Sequence, residues 1–162
     1  MRDRPWTSAE AFLADERESF RPFEAILELE RQDLDLGPRV HGWSARDLLA
    51  HLAGWHEVAA EVARELIVAP TSARKVAADE EWEARGNELN EEIRQEWEQL
   101  TVDDFRARAR AATYDLRAAM ATLPLSRWWD SVEYLDYFTS EMQGHYLDHR
   151  AALDKVLGRD EA

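Results

Sequence analysis

Apolar residues recur at intervals of three and four through four long stretches of this chain, and no stretch alternates with the period of two that a half-buried strand requires. In the first, Thr7 or Ser8 caps a helix whose apolar positions Phe12, Phe20, Phe23, Ile26, Leu27 and Leu34 continue until Gly37-Pro38 stops it, which predicts a helix over 8–34. Pro22 removes a backbone donor within that span, so a kink or break is expected there. In the second, Ser44 is the cap and Asp47 the acidic partner of a capping box, and Leu48, Leu49, Leu52, Trp55, Val58, Val62 and Leu66 predict a helix over 45–67. The third follows Thr101 and Asp104 with Phe105, Ala109, Ala112, Leu116 and Met120, a helix over 102–122 that ends before Pro124. The fourth runs over 131–157 and closes at Gly158. Between the second and third, from Ala69-Pro70-Thr71-Ser72, the stripe is lost; the Glu-, Asn- and Trp-rich stretch 79–99 reads as a loop followed by a solvated, marginal helix.

Four long amphipathic helices with one long connection between the second and third predict an all-α fold, a four-helix bundle in which sites are built from inward-facing side chains. The 162 residues are expected to form a single domain spanning 1–162. Cysteine is absent, which excludes a disulfide framework and thiolate metal ligands, so any thiol chemistry needs a sulfur from outside. The net charge of -14 repels phosphate backbones and anionic headgroups alike, which argues against nucleic acid or membrane partners. The opening Met1-Arg2-Asp3-Arg4-Pro5-Trp6 leads into charged residues with no apolar run suited to a signal peptide or a membrane span, and a cytoplasmic protein is expected.

Of the five histidines, His145 and His149 are four apart, so on a helix they stack on one face about 5–6 Å from each other. Phe138, Glu141, Met142, Ala152 and Val156 share that face, which places the pair in the apolar stripe. His51 shares a face with Leu48, Trp55, Val58 and Val62, and a bundle can bring it against the last helix. Three neutral imidazoles leave a coordination position open, the arrangement of catalytic rather than structural metal sites. The plain alternative is three core histidines, each hydrogen-bonded to a neighbour. His41, in a loop, and His56, turned about 140° from His51 around the helix, are expected at the surface. Glu141, one turn before His145, is a candidate fourth ligand, imidazole acceptor or general base, with a rim carboxylate as the alternative. Asp148 flanks the same face and either orients an imidazole or faces solvent. Trp55 and Trp128 or Trp129 read as core and rim packing, and no aromatic is assigned to a substrate.

The string Trp43-Ser44-Ala45-Arg46-Asp47-Leu48-Leu49-Ala50-His51-Leu52-Ala53-Gly54-Trp55 resembles the second-helix signature of the DinB/YfiT-like superfamily, and His145-Tyr146-Leu147-Asp148-His149 resembles its fourth-helix pair. Asn87-Glu88-Leu89-Asn90-Glu91-Glu92-Ile93 together with the His-Tyr-x-x-His string at His145, Tyr146 and His149 is similar to the ClbS/DfsB branch, some of whose members work without the histidines that are all filled here. The resemblance implies a DinB-like four-helix bundle, a metal site at His51, His145 and His149 holding zinc, nickel or another divalent ion, a possible homodimer, and thiol-dependent isomerase, thiol transferase or hydrolase activity.

Three classes of function follow as expectations. In the first, the ion activates water or a low-molecular-weight thiol such as mycothiol or bacillithiol against a small electrophilic substrate, with Glu141 in catalysis. In the second, a non-catalytic stress or resistance protein holds a small molecule within the bundle. A purely helical interaction module, suggested by the acidic run from Glu80 to Glu98, is a third. Metal affinity is expected to fall below about pH 6–6.5, where free imidazoles protonate.

Overall fold

The computed structural model describes residues 4–159; Met1–Asp3, which open the segment expected to lack a leader, lie outside the described residues. Helix α1 (Ala9–Glu24) begins where its cap predicts, with Ser8 Oγ accepting from Ala11 N at 3.1 Å. Pro22 does not break it. The chain tightens instead into a 3-10 turn (Ala25–Glu28), turns extended at Leu29 and Glu30, and resumes as α2 (Arg31–Leu36). The expected single helix over 8–34 is therefore corrected to two helices parted seven residues beyond the proline. The break persists because Arg106 Nη2, from another element, donates to the Leu29 carbonyl at 2.6 Å, satisfying an acceptor that a helix end leaves free.

Helix α3 (Ala45–Val68) carries the full capping box: Asp47 N donates to Ser44 Oγ at 3.1 Å, and Ser44 N to Asp47 Oδ2 at 3.0 Å. The connection that follows is more structured than its pattern suggests. Ser72 caps α4 (Ala73–Arg85), which turns at Gly86 (φ +52°) into α5 (Asn87–Glu98). The loop and marginal helix expected here give way to two helices because a few large side chains replace the missing stripe. Trp97 is 1 % exposed, Leu89 is buried, and Ile93 meets Gly54 of α3 so closely that a Cβ there would stand 2.5 Å from Ile93 Cγ2. Arg46, buried near the start of α3, donates to the Trp97 carbonyl at 3.1 Å and also to that of Leu100, pinning the end of α5.

Helix α6 (Val102–Thr122) keeps its expected bounds and makes the largest contact with α3. After the short α7 (Leu125–Trp128), the expected single helix over 131–157 is divided into α8 (Val132–Glu141) and α9 (Gln143–Val156) by Met142, at φ -112° and ψ -104°. Two local features explain the step. Thr139 Oγ1 bonds back to the Leu135 carbonyl at 2.7 Å, and Gly144 approaches the Thr139 carbonyl so closely that a Cβ would stand 3.0 Å from it. Gln143 Nε2 then donates to the Phe12 carbonyl at 2.9 Å, tying the start of α9 to α1.

Among the described residues no strand forms, only an isolated bridge between Val40 and Trp43, and no helix is long and apolar enough to cross a membrane. The fold is all-helical, with α3 at its centre, touching α4, α5, α6, α8 and α9, while α1 covers α9.

Candidate metal centre

His51 projects from the buried second turn of α3, and His145 and His149 from successive turns of α9, whose start is fixed by the Gln143 bond. The three rings come together as expected from the sequence. Their centroids lie 4.7, 4.8 and 4.9 Å apart, the Nε2 atoms of His51 and His145 are 2.8 Å apart, and one donor nitrogen from each of the three lies within 4.8 Å of the others. Zinc–nitrogen bonds of about 2.0–2.1 Å at tetrahedral angles place two ligands of one ion about 3.3 Å apart, so binding requires the His51 and His145 nitrogens, at hydrogen-bond distance of 2.8 Å, to part slightly and the His149 nitrogen to draw in. Burial, together with the neighbouring imidazoles, lowers the His51 pKa to about 2. Burial and His149 lower that of His145 to about 3, opposed by the Glu141 carbonyl, and burial lowers His149 against the pull of Asp148. All three are therefore neutral donors at neutral pH, the state a metal requires. The expected onset of proton competition at pH 6–6.5 is corrected downwards, because that value belongs to solvated imidazole.

Among the described residues the buried Nδ1 atoms of His51 and His145 make no hydrogen bond of normal geometry, the Glu141 carbonyl near His145 included. Neither the Glu141 carboxylate nor Asp148, which is exposed, accepts from an imidazole among the described residues, so packing orients the rings. Trp43 does this, with its ring 5.0 Å from His51 and stacked at 6.5 Å on His149. Its sequence signal is its place before the capping serine, at the head of the string that resembles the second-helix signature.

These histidines form part of the wall of a cleft of about 800 Å³. The opposite wall comes from the connection expected to be solvated: Ala78, Asp79 and Trp82 of α4 and Asn87, Asn90 and Glu91 of α5. Trp82 meets Trp55 edge-on at 5.8 Å, and Trp55 Nε1 donates to Asn90 Oδ1 at 2.9 Å, so Trp55 lines a cleft wall rather than the core. Trp128, by contrast, is fully packed. His41 is exposed as expected, at the cleft mouth.

Glu141 ends α8, lines the cleft and is not among the three residues whose donor atoms lie within 4.8 Å of one another. It makes no hydrogen bond or ion pair among the described residues. Burial, with Asp79 nearby, raises its pKa to about 7, where it can both take and give a proton. Tyr137, one turn earlier, has a buried hydroxyl without a partner and a pKa raised by the same burial and by Glu141.

His56 corrects the sequence expectation outright: it is 0 % exposed. The 140° rotation does carry it away from His51, but α6 packs on that face of α3. Its Nδ1 lies 3.0 Å from Thr113 Oγ1 and its Nε2 2.7 Å from Tyr146 Oη, which donates to Glu16 Oε1 at 2.9 Å. Glu16, also buried, takes a two-pronged bond from Arg117 at 2.7 and 3.1 Å. With Tyr146 donating to the carboxylate, His56 carries its proton on Nε2 and accepts from Thr113. The chain of bonds joins α1, α3, α6 and α9 beside the histidine pair of α9, and no spacing rule revealed it.

No curated protein and no solved structure matches the chain significantly. A family model does: that of the mycothiol maleylpyruvate isomerase N-terminal domain matches residues 13–148, most of the chain, including His51 and His145 and stopping one residue short of His149. The chain accordingly belongs to this family, a branch of the DinB-like superfamily whose resemblance its second and last helices carry.

Proposed function

We propose that this protein is a divalent-metal-dependent enzyme in which His51, His145 and His149 hold zinc or nickel and a water or a low-molecular-weight thiol is activated against a small electrophile. The observation that carries the reading is the convergence of three neutral imidazole donors in the wall of a cleft roomy enough for a small molecule and a co-substrate. The family name supports a thiol such as mycothiol as co-substrate, and the lack of cysteine requires that the sulfur come from outside. In this reading the chain is a DinB-like four-helix-bundle domain spanning 1–162, cytoplasmic, a possible homodimer, with no nucleic acid or membrane partner.

A divalent ion bound here supplies Lewis acidity that lowers the pKa of a water or thiol. The protein's own residues do the rest. Trp43 holds two of the three rings and keeps water from one side of them. Glu141, poised near neutrality, takes the proton released from the nucleophile at its carboxylate and returns it to the product. Trp55 and Trp82 wall off the substrate.

Metal analysis of untagged protein tests the reading. About one ion per chain is expected for the wild type, and close to none for the His145→Ala, His149→Ala double variant. Equal, low metal in both would overturn it in favour of a non-catalytic binder of the ClbS/DfsB kind, which the aromatic cleft walls also suit.

A further inference from the structure

A metal-ligating imidazole is ordinarily fixed by a carboxylate or carbonyl that accepts from its second ring nitrogen. Among the described residues neither His51 nor His145 has such a bond of normal geometry at Nδ1. Trp43 packs on two of the rings, but where the rings stand is decided by the helices that carry them, α3 for His51 and α9 for His145 and His149. Metal–ligand distances are met only to within about 0.2 Å. Apolar contact between helices is non-directional and does not by itself set so fine a register.

A directional link joins these two helices away from the cleft. His56 stands little more than one turn after His51 on α3, Tyr146 follows His145 directly on α9, and His56 Nε2 lies 2.7 Å from Tyr146 Oη. The same hydroxyl donates to Glu16 of α1 at 2.9 Å, so it accepts from one helix and donates to another. Both partners are fixed in turn from α6, His56 by Thr113 at 3.0 Å and Glu16 by Arg117 at 2.7 Å. Two rings of α1 enclose the link: Phe20 stands 5.0 Å from Tyr146 and 5.2 Å from His56, and Phe23 6.0 Å from Tyr146. His56 and Tyr146 are both buried, so water does not compete for these bonds, and the low local dielectric strengthens them.

We propose that Tyr146 is a positioning residue for the metal centre: by bridging His56 and Glu16, its hydroxyl sets the separation and register of α3 and α9, and with them the geometry at which His51, His145 and His149 meet one ion. This rests on the proposed reading in which those three histidines hold a divalent cation. It gives the buried network a task beyond stability, and substitution there leaves every ligand in place.

Cobalt(II), whose visible absorption reports coordination geometry, tests it by titration into chelator-treated full-length protein. The wild type is expected to bind about one equivalent with a visible band. Tyr146→Phe and His56→Leu remove the link while leaving the Glu16 and Arg117 charges paired. Both are expected to bind cobalt at least about tenfold more weakly, with a shifted or weakened band. His56→Gln, whose amide nitrogen can donate to the same hydroxyl, is expected to come within about threefold of the wild type. Leu27→Ala, at a buried position outside the cleft lining, loses core packing without touching the link and is expected to keep the wild-type affinity and band. Wild-type affinity and band in Tyr146→Phe, or an equal loss in Leu27→Ala, overturns the proposal and leaves the metal centre standing. A wild type that takes up no cobalt overturns the metal reading and the proposal together.

Discussion

Glu16 is a carboxylate 1 % exposed, and its position is tolerable only because Arg117 and Tyr146 satisfy it together. Removing one member of such a group leaves the others desolvated and unpaired, a larger loss than the net worth of the bonds themselves. Glu16→Ala is therefore expected to cost about 3–5 kcal/mol, since it leaves the largely buried Arg117 charge with only the long contact to Glu24 at 4.0 Å. Tyr146→Phe, which leaves every charge paired, is expected to cost about 1–3 kcal/mol. Urea unfolding of both variants measures the difference, and equal, sub-kilocalorie losses would mean that water replaces these bonds freely. The histidine pair of α9 was legible from its spacing and His51 from its face, because both are local properties of a helix. The Glu16–Tyr146–His56 chain was not: its members sit 130 and 90 positions apart, and each alone looks like an ordinary surface polar residue.

At the level of elements, capping residues and breakers carried most of the information. Ser44 with Asp47 and Thr101 ahead of Asp104 set the starts of α3 and α6, and both bounds agree with the sequence reading because a cap acts within one turn. Where a break depends on a tertiary bond, as at Leu29 with Arg106, the local pattern runs on through it, and at Met142 the step comes from Thr139 and Gly144, which the apolar period does not register. Helices α4 and α5 were hidden for a different reason: they bury Trp97 and Leu89 and seat Ile93 against Gly54 instead of presenting a stripe. That contact is testable. Gly54→Ala gains up to about 1 kcal/mol of helix propensity, yet its Cβ would meet the branched Ile93 Cγ2, and overpacking of this kind costs about 1–3 kcal/mol. A net loss is expected, together with a changed environment for Trp55, which α5 holds through Asn90. In Gly54→Ala, Ile93→Ala the clash is gone, so a double-mutant cycle should give a favourable coupling of at least about 0.5 kcal/mol; additive losses would place the contact elsewhere.

For the whole molecule, the surplus of acidic residues reads as a pI of about 4.7, but the buried titratable groups decide how stability responds between pH 7 and 5, where most solvated carboxylates stay ionised. His56, whose pKa burial lowers to about 3 with smaller contributions from His145 and Arg117, stays neutral in the fold across this window. The unfolded chain protonates the same residue near 6.5, so it binds more protons than the native state as the pH falls, and stability drops; from pH 7 to 5 the loss is roughly 2 kcal/mol. Glu141 acts in the opposite sense. Its pKa of about 7 in the fold exceeds the unfolded value, so the native state takes up the extra proton on acidification and gains roughly 2 kcal/mol over the same range. These two contributions nearly cancel each other, while His51 and His145, held neutral in the same way, each add a loss of the sign of His56, and single variants separate the groups. Urea unfolding at pH 7, 6 and 5 on chelator-treated protein is expected to show His56→Gln becoming more stable relative to wild type as the pH falls, by roughly 2 kcal/mol, and Glu141→Gln less stable by a similar amount. A His56→Gln curve parallel to wild type would mean that the imidazole titrates as freely in the fold as in the unfolded chain, and that the bonds to Thr113 and Tyr146 do not hold it neutral.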